Sequence, residues 1–158
     1  MNIQEAIEKL KNKFGEKILE ASSPRDNRLY VKVSNDALVE AAKYLREELG
    51  FDMAISAGGT DYPKKNVIEL FWIIWSSNDN VTLILKTDVD RENPKIPTLR
   101  NIWLGVQKFE RETWELLGVE YEGHPNLKPL LLPEDWNEGY PLRKDFKLEP
   151  YRAPWGDE

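Results

Sequence analysis

The sequence predicts an α+β domain in which about four strands form a mixed sheet with helices packed on it, followed by a long extended C-terminal arm. Three observations predict this. Apolar residues recur at helical spacing in three separate segments, and they alternate or run continuously as strands do in four others. These elements come in the order α-β-α-β-β-β-α, which closes as helices layered on one sheet. The periodicity then stops at Gly118, and the 40 residues after it hold six of the ten prolines.

Ile3, Ala6, Ile7, Leu10 and Phe14 mark a first helix over residues 2–14, ended by Gly15. Arg28 to Val33 alternates and reads as a strand. Ser34 or Asn35 can cap a second helix with Leu38, Ala41, Ala42, Leu45 and Leu49 inward, closed by Gly50. Phe51 to Ala57 is a second strand, and the turn-rich run Gly58 to Pro63 reads as a loop. Val67 to Ser76 is apolar on both faces, the pattern of a central strand covered on both sides. Ser77 to Asn80 is a hairpin turn, and Val81 to Val89 returns with Val81, Leu83 and Leu85 on one face. Asn93-Pro94 and Ile96-Pro97 break the chain. Thr98 then caps a last helix over residues 99–117, and Gly118 stops it.

The division that follows is a compact domain over residues 1–118 and a proline-rich arm over 119–158. A structureless stretch of this length is uncommon inside a compact domain. Disordered segments are poor in large apolar side chains, yet the arm carries Leu127, Leu130, Leu131, Leu132, Trp136, Tyr140, Phe146, Tyr151 and Trp155. An ordered ribbon laid on a partner, with its aromatics as anchors, reconciles the two facts.

Composition narrows the functions. The chain has 158 residues, one domain's worth, with no cysteine and a single histidine. That removes a disulfide framework, a thiolate nucleophile and Fe–S ligation, and it argues against zinc or haem. The net charge of −6 is the wrong sign for nucleic acid or an anionic membrane surface. No apolar run approaches bilayer length, and the charged amphipathic N-terminus has no signal-peptide core. The expectation is a soluble, cytoplasmic protein that meets a membrane only through partners. Two Gln, two Met and abundant Lys and Glu match a thermophile's composition.

Three clusters carry chemistry. Glu110, Arg111 and Glu112 sit on the last helix, where Arg111 and Glu115 are four apart and able to pair. With no nucleophile or metal set in sight, these charges read as fastening the helix to the arm or to a neighbouring subunit. His124, before Pro125, has no companion ligands and reads as a structural histidine bonding a backbone or carboxylate group. In Pro141-Leu142-Arg143-Lys144-Asp145-Phe146, Arg143 can fork onto a partner's carboxylate. Trp103, Phe109 and Trp114 read as packing. Gly58-Gly59 lacks the Lys-Ser/Thr and the following helix that a phosphate loop needs.

ERETWELLGVEYEGHPNLKPLLLPEDW (residues 110–136) and GYPLRKDF (residues 139–146) resemble the signature of the 30 kDa subunit family of respiratory complex I, the C subunit of NADH-quinone oxidoreductase. That family includes the equivalents in archaeal membrane-bound hydrogenases and related complexes. The match is dense from Trp103 to Phe146, and a looser echo covers Phe51 to Val89. The resemblance implies a compact α+β domain with a C-terminal extension, acting as a non-catalytic part of the hydrophilic arm of a membrane complex. It implies packing against a large subunit related to [NiFe] hydrogenases, the 49 kDa subunit in complex I, beside Fe–S subunits. Fe–S clusters and the [NiFe] or quinone chemistry belong to those partners, and this chain binds no cofactor. The implied interface comprises Glu110, Arg111, Glu112, His124, Pro125, Leu127, Leu130, Leu132, Trp136, Pro141, Arg143, Lys144 and Asp145.

The chain departs from the pattern at Lys128-Pro129, where the family often has Arg-Arg, at Asn126 for Asp and at Tyr140 for a second His. Losing one base weakens the family's usual salt bridges there. The expected function is a scaffold subunit of an ion-translocating, membrane-bound hydrogenase-type complex on the cytoplasmic side of the membrane. The alternative is the C subunit of an NADH- or F420H2-quinone oxidoreductase, or the equivalent in a sulfane-reductase complex. Two rivals come from other classes: a free enzyme using Glu110, Glu112 and His124, and a stand-alone binding module whose arm folds back on its own domain.

Overall fold

Asn2 opens the first helix, α1 (Ile3–Phe14), by accepting hydrogen bonds from the amides of Gln4 and Glu5 at 3.1 and 3.3 Å. Gly15, at φ 55°, closes it. The computed structural model describes residues 1–147. After α1 come β1 (Ile18–Arg25), β2 (Arg28–Val33), α2 (Leu38–Glu47), β3 (Met53–Tyr62), β4 (Val67–Ser76), β5 (Val81–Asp90), β6 (Lys95–Pro97), α3 (Gln107–Leu117) and β7 (Glu120–Glu122).

Five strands, not four, form the main sheet, in the order β1-β2-β5-β4-β3. The β2–β5 pair is parallel and the others antiparallel, so the sheet is mixed as expected. The added strand, β1, lies at an edge, with two register shifts against β2. Its sequence, ILEASSPR, has one buried residue and a proline, so neither periodicity nor β-propensity announces it. β6 and β7 form a separate two-stranded parallel ribbon. Val119 and Tyr121 are buried in the main core, which therefore runs past Gly118 into the stretch read as arm.

One face of the sheet carries the core. Leu29 pairs with Leu83 and Val31 with Leu85, while Leu83 and Leu85 pair with Ile74 and Trp72, all buried beneath the helices. The expectation that β4 is covered on both sides does not hold. Val67, Phe71, Ile73 and Trp75 on its other face are only half-buried, because all three helices pack on the first. On that open face Lys32 bridges Glu69 and Asp88, and Lys86 pairs with Glu69.

Two further expectations are corrected. Gly58 to Tyr62 is strand, not loop, and β3 runs on to Tyr62. A Cβ on Gly58 would lie 2.8 Å from the Phe71 ring, and one on Gly59 would lie 2.8 Å from Leu117 Cδ1. The glycines mark close approach within a strand, not a turn. The last helix begins at Gln107 instead of residue 99. Residues 99–106 form a turn and a short 3₁₀ segment, in which Ile102 and Trp103 donate to Leu99 O. Thr98 therefore caps no helix.

Candidate functional site

The chemistry-bearing residues gather around α3. Its buried positions are Glu110, Thr113, Glu115 and Leu117, so two carboxylates enter the protein from this helix beside the partly buried Phe109 and Trp114. Phe109 and Trp114 pack against the core, and Trp103 is buried with its indole N–H donating to Phe51 O, as packing residues should.

Glu110 has no exposed surface. Its oxygens accept from the Thr98 hydroxyl and from Leu99 N, the latter at 2.9 Å. This side chain ties the end of β6 to α3. Burial pushes its pKa up to about 7, opposed by the donors Thr98 and Leu99 N, by the neighbouring Trp72 indole and by the nearby Arg100 charge. Burial, reinforced by the Glu110 charge, also raises the Tyr121 phenol.

Arg111 and Glu115 do not pair with each other; both turn to the arm. Arg111 Nε donates to Lys128 O and Nη2 to Pro129 O, each at 2.5 Å. Glu115 accepts from Leu130 N, Leu131 N and Leu132 N at 3.0, 2.8 and 3.0 Å. Residues 128–132 have no ladder of their own, and their backbone groups pair with side chains instead. The helix provides them from one face, carbonyls to the cation and amides to the anion. Removing the anion leaves three amides without acceptors. Glu115→Ala is therefore expected to speed hydrogen exchange at Leu130–Leu132 at least about fivefold, equivalent to a loss of about 1 kcal/mol or more of local stability. Unchanged exchange rates would show that the carboxylate does not hold the ribbon.

Further along, His124 Nε2 lies 2.9 Å from Gln107 O and Nδ1 accepts from Asn126 N at 3.1 Å. Leu142 N and Arg143 Nε donate to the last carbonyls of α3, Leu116 O and Leu117 O, at 3.0 and 2.8 Å. Lys144 N donates to Asp61 Oδ2 at 2.8 Å. Asp61 in turn is gripped by Arg91, with Nε at 2.6 Å and Nη2 at 2.9 Å, and Arg91 Nη2 also reaches Asp145 at 2.9 Å. The Arg91 guanidinium holds the Asp61 carboxyl below its usual range.

Tyr140 covers Gly118, the left-handed end of α3 at φ 80°. A Cβ there would stand 2.6 Å from the ring. Gly118→Ala combines the strain of that φ with a displaced Tyr140, so a loss of about 2 kcal/mol is expected. Urea unfolding measures it, and a loss below half that would mean the ring swings away freely.

The described arm thus lies on its own domain, and the surface it needs is supplied by α3 and by Asp61 and Arg91. Arg143, expected to fork onto a partner's carboxylate, directs Nε to Leu117 O. Of the remaining candidates, Glu112, Pro125, Leu127, Leu132, Trp136 and Pro141 are exposed to half-buried along the ribbon, and Lys144 and Asp145 are exposed. Leu130, Leu131, Tyr140 and Leu142 face outward at 39, 61, 44 and 52 % exposure. Tyr151 and Trp155 lie outside the described residues. Sequence reasoning anticipates that the charges of α3 fasten it to the arm but not that Glu115 does so through the Leu130–Leu132 amides, and it misses the Asp61–Arg91 pair. The looser resemblance over Phe51 to Val89 spans Asp61 and stops short of Arg91.

Glu110, Glu112 and His124 do not assemble a catalytic centre. The Glu110 oxygens and both His124 nitrogens are engaged by protein groups. Among the described residues no three His, Cys, Asp or Glu side chains come together as a metal site, and no helix is long and apolar enough to cross a membrane.

Residues 31–152 match the family model for the respiratory-chain NADH dehydrogenase 30 kDa subunit. The chain belongs to that family. Among curated relatives it is 38 % identical over 153 residues to the C subunit of the F(420)H(2) dehydrogenase of Methanosarcina mazei, covering 97 % of each chain. It is 36 % identical over 145 residues to the C subunit of the NADH-quinone oxidoreductase of Roseiflexus sp. (strain RS-1), covering 90 % of this chain and 82 % of that one. Among solved structures, a chain of the archaeal membrane-bound sulfane sulfur reductase superposes with a TM-score of 0.81 at 24 % identity, covering 92 % of this chain and 85 % of that one. The trypsin-resistant fragment of Nqo5 gives 0.68 at 22 %, covering 80 % and 100 %. These two likenesses concern the fold.

Membership makes the chain a non-catalytic accessory subunit of an oxidoreductase complex. The expected hydrogenase assignment is the weaker of the two readings, since both curated relatives are C subunits, one of an F420H2 dehydrogenase and one of an NADH-quinone enzyme. The alternative is the better supported.

Proposed function

We propose that this chain is the scaffold subunit of a quinone-reductase-type complex of the NADH or F420H2 class, placed on the cytoplasmic side of the membrane. Its arm, folded on α3, presents Leu130, Leu131, Tyr140, Leu142 and Lys144 as a preformed docking surface for the large hydrogenase-like subunit and its Fe–S neighbours. The observation that carries the assignment is 38 % identity across 97 % of both chains with the C subunit of an F420H2 dehydrogenase. The outward leucines of the ribbon support the docking role, because four of the exposed large apolar residues fall within residues 130–142. A preordered ribbon binds without the full ordering cost of a disordered tail.

The test is purification of the tagged chain from gently solubilised membranes, with co-purifying chains identified by mass. A parallel truncation should end after Gly123, since Val119 and Tyr121 belong to the core. The reading predicts that the full chain brings down the large subunit and Fe–S subunits and that the truncation loses them. A full chain that emerges alone and monomeric contradicts it, and leaves the self-folded module as the better account.

A further inference from the structure

Between α3 and the ribbon lies a groove of about 280 Å³ bounded by Trp114, Trp136, Tyr140, Pro129, Leu132 and Pro133. The contacts that hold the arm to α3 leave this space open. Trp136 is fixed beside it, with its indole N–H on Gly139 O at 2.8 Å and its ring 6.2 Å from that of Phe146. The walls are aromatic and proline faces, which attract cations through the negative face of the ring as well as apolar groups through contact.

Charge selects between these. Residues 129–142 contain Glu134, Asp135 and Glu138 and no Lys, Arg or His. All three acids are exposed on the ribbon that forms the groove. The Tyr140 ring, one wall of the groove, already stacks with a guanidinium from outside the groove lining: Arg143 of this chain lies 5.0 Å from its centroid. An aromatic slot on a ribbon whose exposed acids alternate in sequence with its lining residues fits a planar cation that stacks and is weakly hydrated, which favours arginine over lysine.

We infer that this groove receives an arginine from an extended basic segment of the neighbouring subunit. The inference rests on the scaffold reading and names the chemistry of its partner. A basic segment is the occupant assigned because this chain offers only an acidic tail with the single base Arg152, and a second copy is acidic overall. A second copy carries −6, and residues 148–158 hold one base against three acids. The arginine supplies registration along the ribbon, while the outward leucines supply area.

Two measurements on the purified complex test this. First, Asn137, which lines the groove, is replaced by the photo-crosslinking residue p-benzoylphenylalanine. Irradiation is expected to join it to another subunit within a few residues of an Arg or Lys. Second, Glu134→Gln, Asp135→Asn and Glu138→Gln together are expected to weaken retention in the complex about tenfold at low ionic strength, with the difference vanishing at high salt. Their exposure predicts an unchanged unfolding midpoint, which separates loss of binding from loss of fold. The inference is overturned by a crosslink to an apolar segment lacking bases, to this chain's own tail or to a second copy. It is equally overturned if the triple variant shows wild-type retention and salt dependence. Should the wild-type chain bring down no partner, the scaffold reading itself fails, which is a distinct result from a partner that binds without using the groove.

Discussion

Arg91→Ala is expected to lower the unfolding free energy by about 3–5 kcal/mol, the cost of stranding one half of a buried ion pair. The Asp61 side chain is wholly inaccessible and Arg91 is 10 % exposed. Without the guanidinium, the carboxylate keeps only Lys144 N as a direct donor. The effect divides by pH. Arg91 depresses the Asp61 pKa, so its stabilisation is present above the unfolded-state value and is lost as pH falls through the folded-state value. Wild type and Arg91→Ala should therefore differ most near neutrality and converge in acid. Asp145→Asn, by contrast, removes an exposed partner with 67 % of its side chain in solvent and should cost less than about 1 kcal/mol. Urea titrations at neutral and acid pH distinguish these, and an Arg91→Ala loss no larger than that of Asp145→Asn would show that the pair is dispensable.

The second large effect has the opposite sign. Glu110 is buried with its pKa raised to about 7 from an ordinary 4.5. Between those values the folded chain retains a proton that the unfolded chain has released, so stability falls as pH rises through the window. Above it the full penalty of a buried charge is present. A gap of this size corresponds to about 3 kcal/mol. The groups facing Glu110 are Thr98, Leu99 N, Trp72, Arg100 and Tyr121; Tyr121 stays neutral throughout this window. Glu110→Gln keeps one oxygen to accept from Leu99 N, turns an amide N–H toward the Thr98 hydroxyl oxygen, as the protonated acid can with its O–H, and removes the titration. It should lie close to wild type at about pH 5, exceed it at about pH 8.5 and vary little between. Thermal or urea midpoints across that range decide the matter, and a flat wild-type profile would contradict it.

Legibility followed the range of the signal. α1, α2, β2, β4 and β5 were readable because their apolar residues repeat at a local period that burial enforces. β1 was not, since an edge strand with Ser22, Ser23 and Pro24 buries almost nothing. Gly58 and Gly59 carry a turn signal locally, yet their lack of side chains serves Phe71 and Leu117, contacts set by tertiary packing. The region after Thr98 looked helical because Leu99, Ile102, Trp103 and Val106 are spaced like a helix face, and all are buried without forming one. At the site, the spacing of Arg111 and Glu115 suggested an ion pair within the helix. The arm's unpaired backbone outcompetes it, offering two carbonyls and three amides. Asp61 and Arg91 stand thirty residues apart in sequence, and only the sheet brings them together. The family resemblance reached what periodicity could not: it singled out the residues of the arm, while the structure supplied what they touch.

An arm that α3 orders before any partner arrives, and that docks through its outer side, has a distinct signature in hydrogen exchange of the free chain and of the assembled complex. The Leu130–Leu132 and Leu142 amides should already be protected in the free chain, through Glu115 and Leu116 O, and the Tyr140 amide should gain protection only on assembly. Free-chain exchange at Leu130–Leu132 as fast as in an unfolded peptide would contradict this, and would mean that the partner, not α3, orders the ribbon.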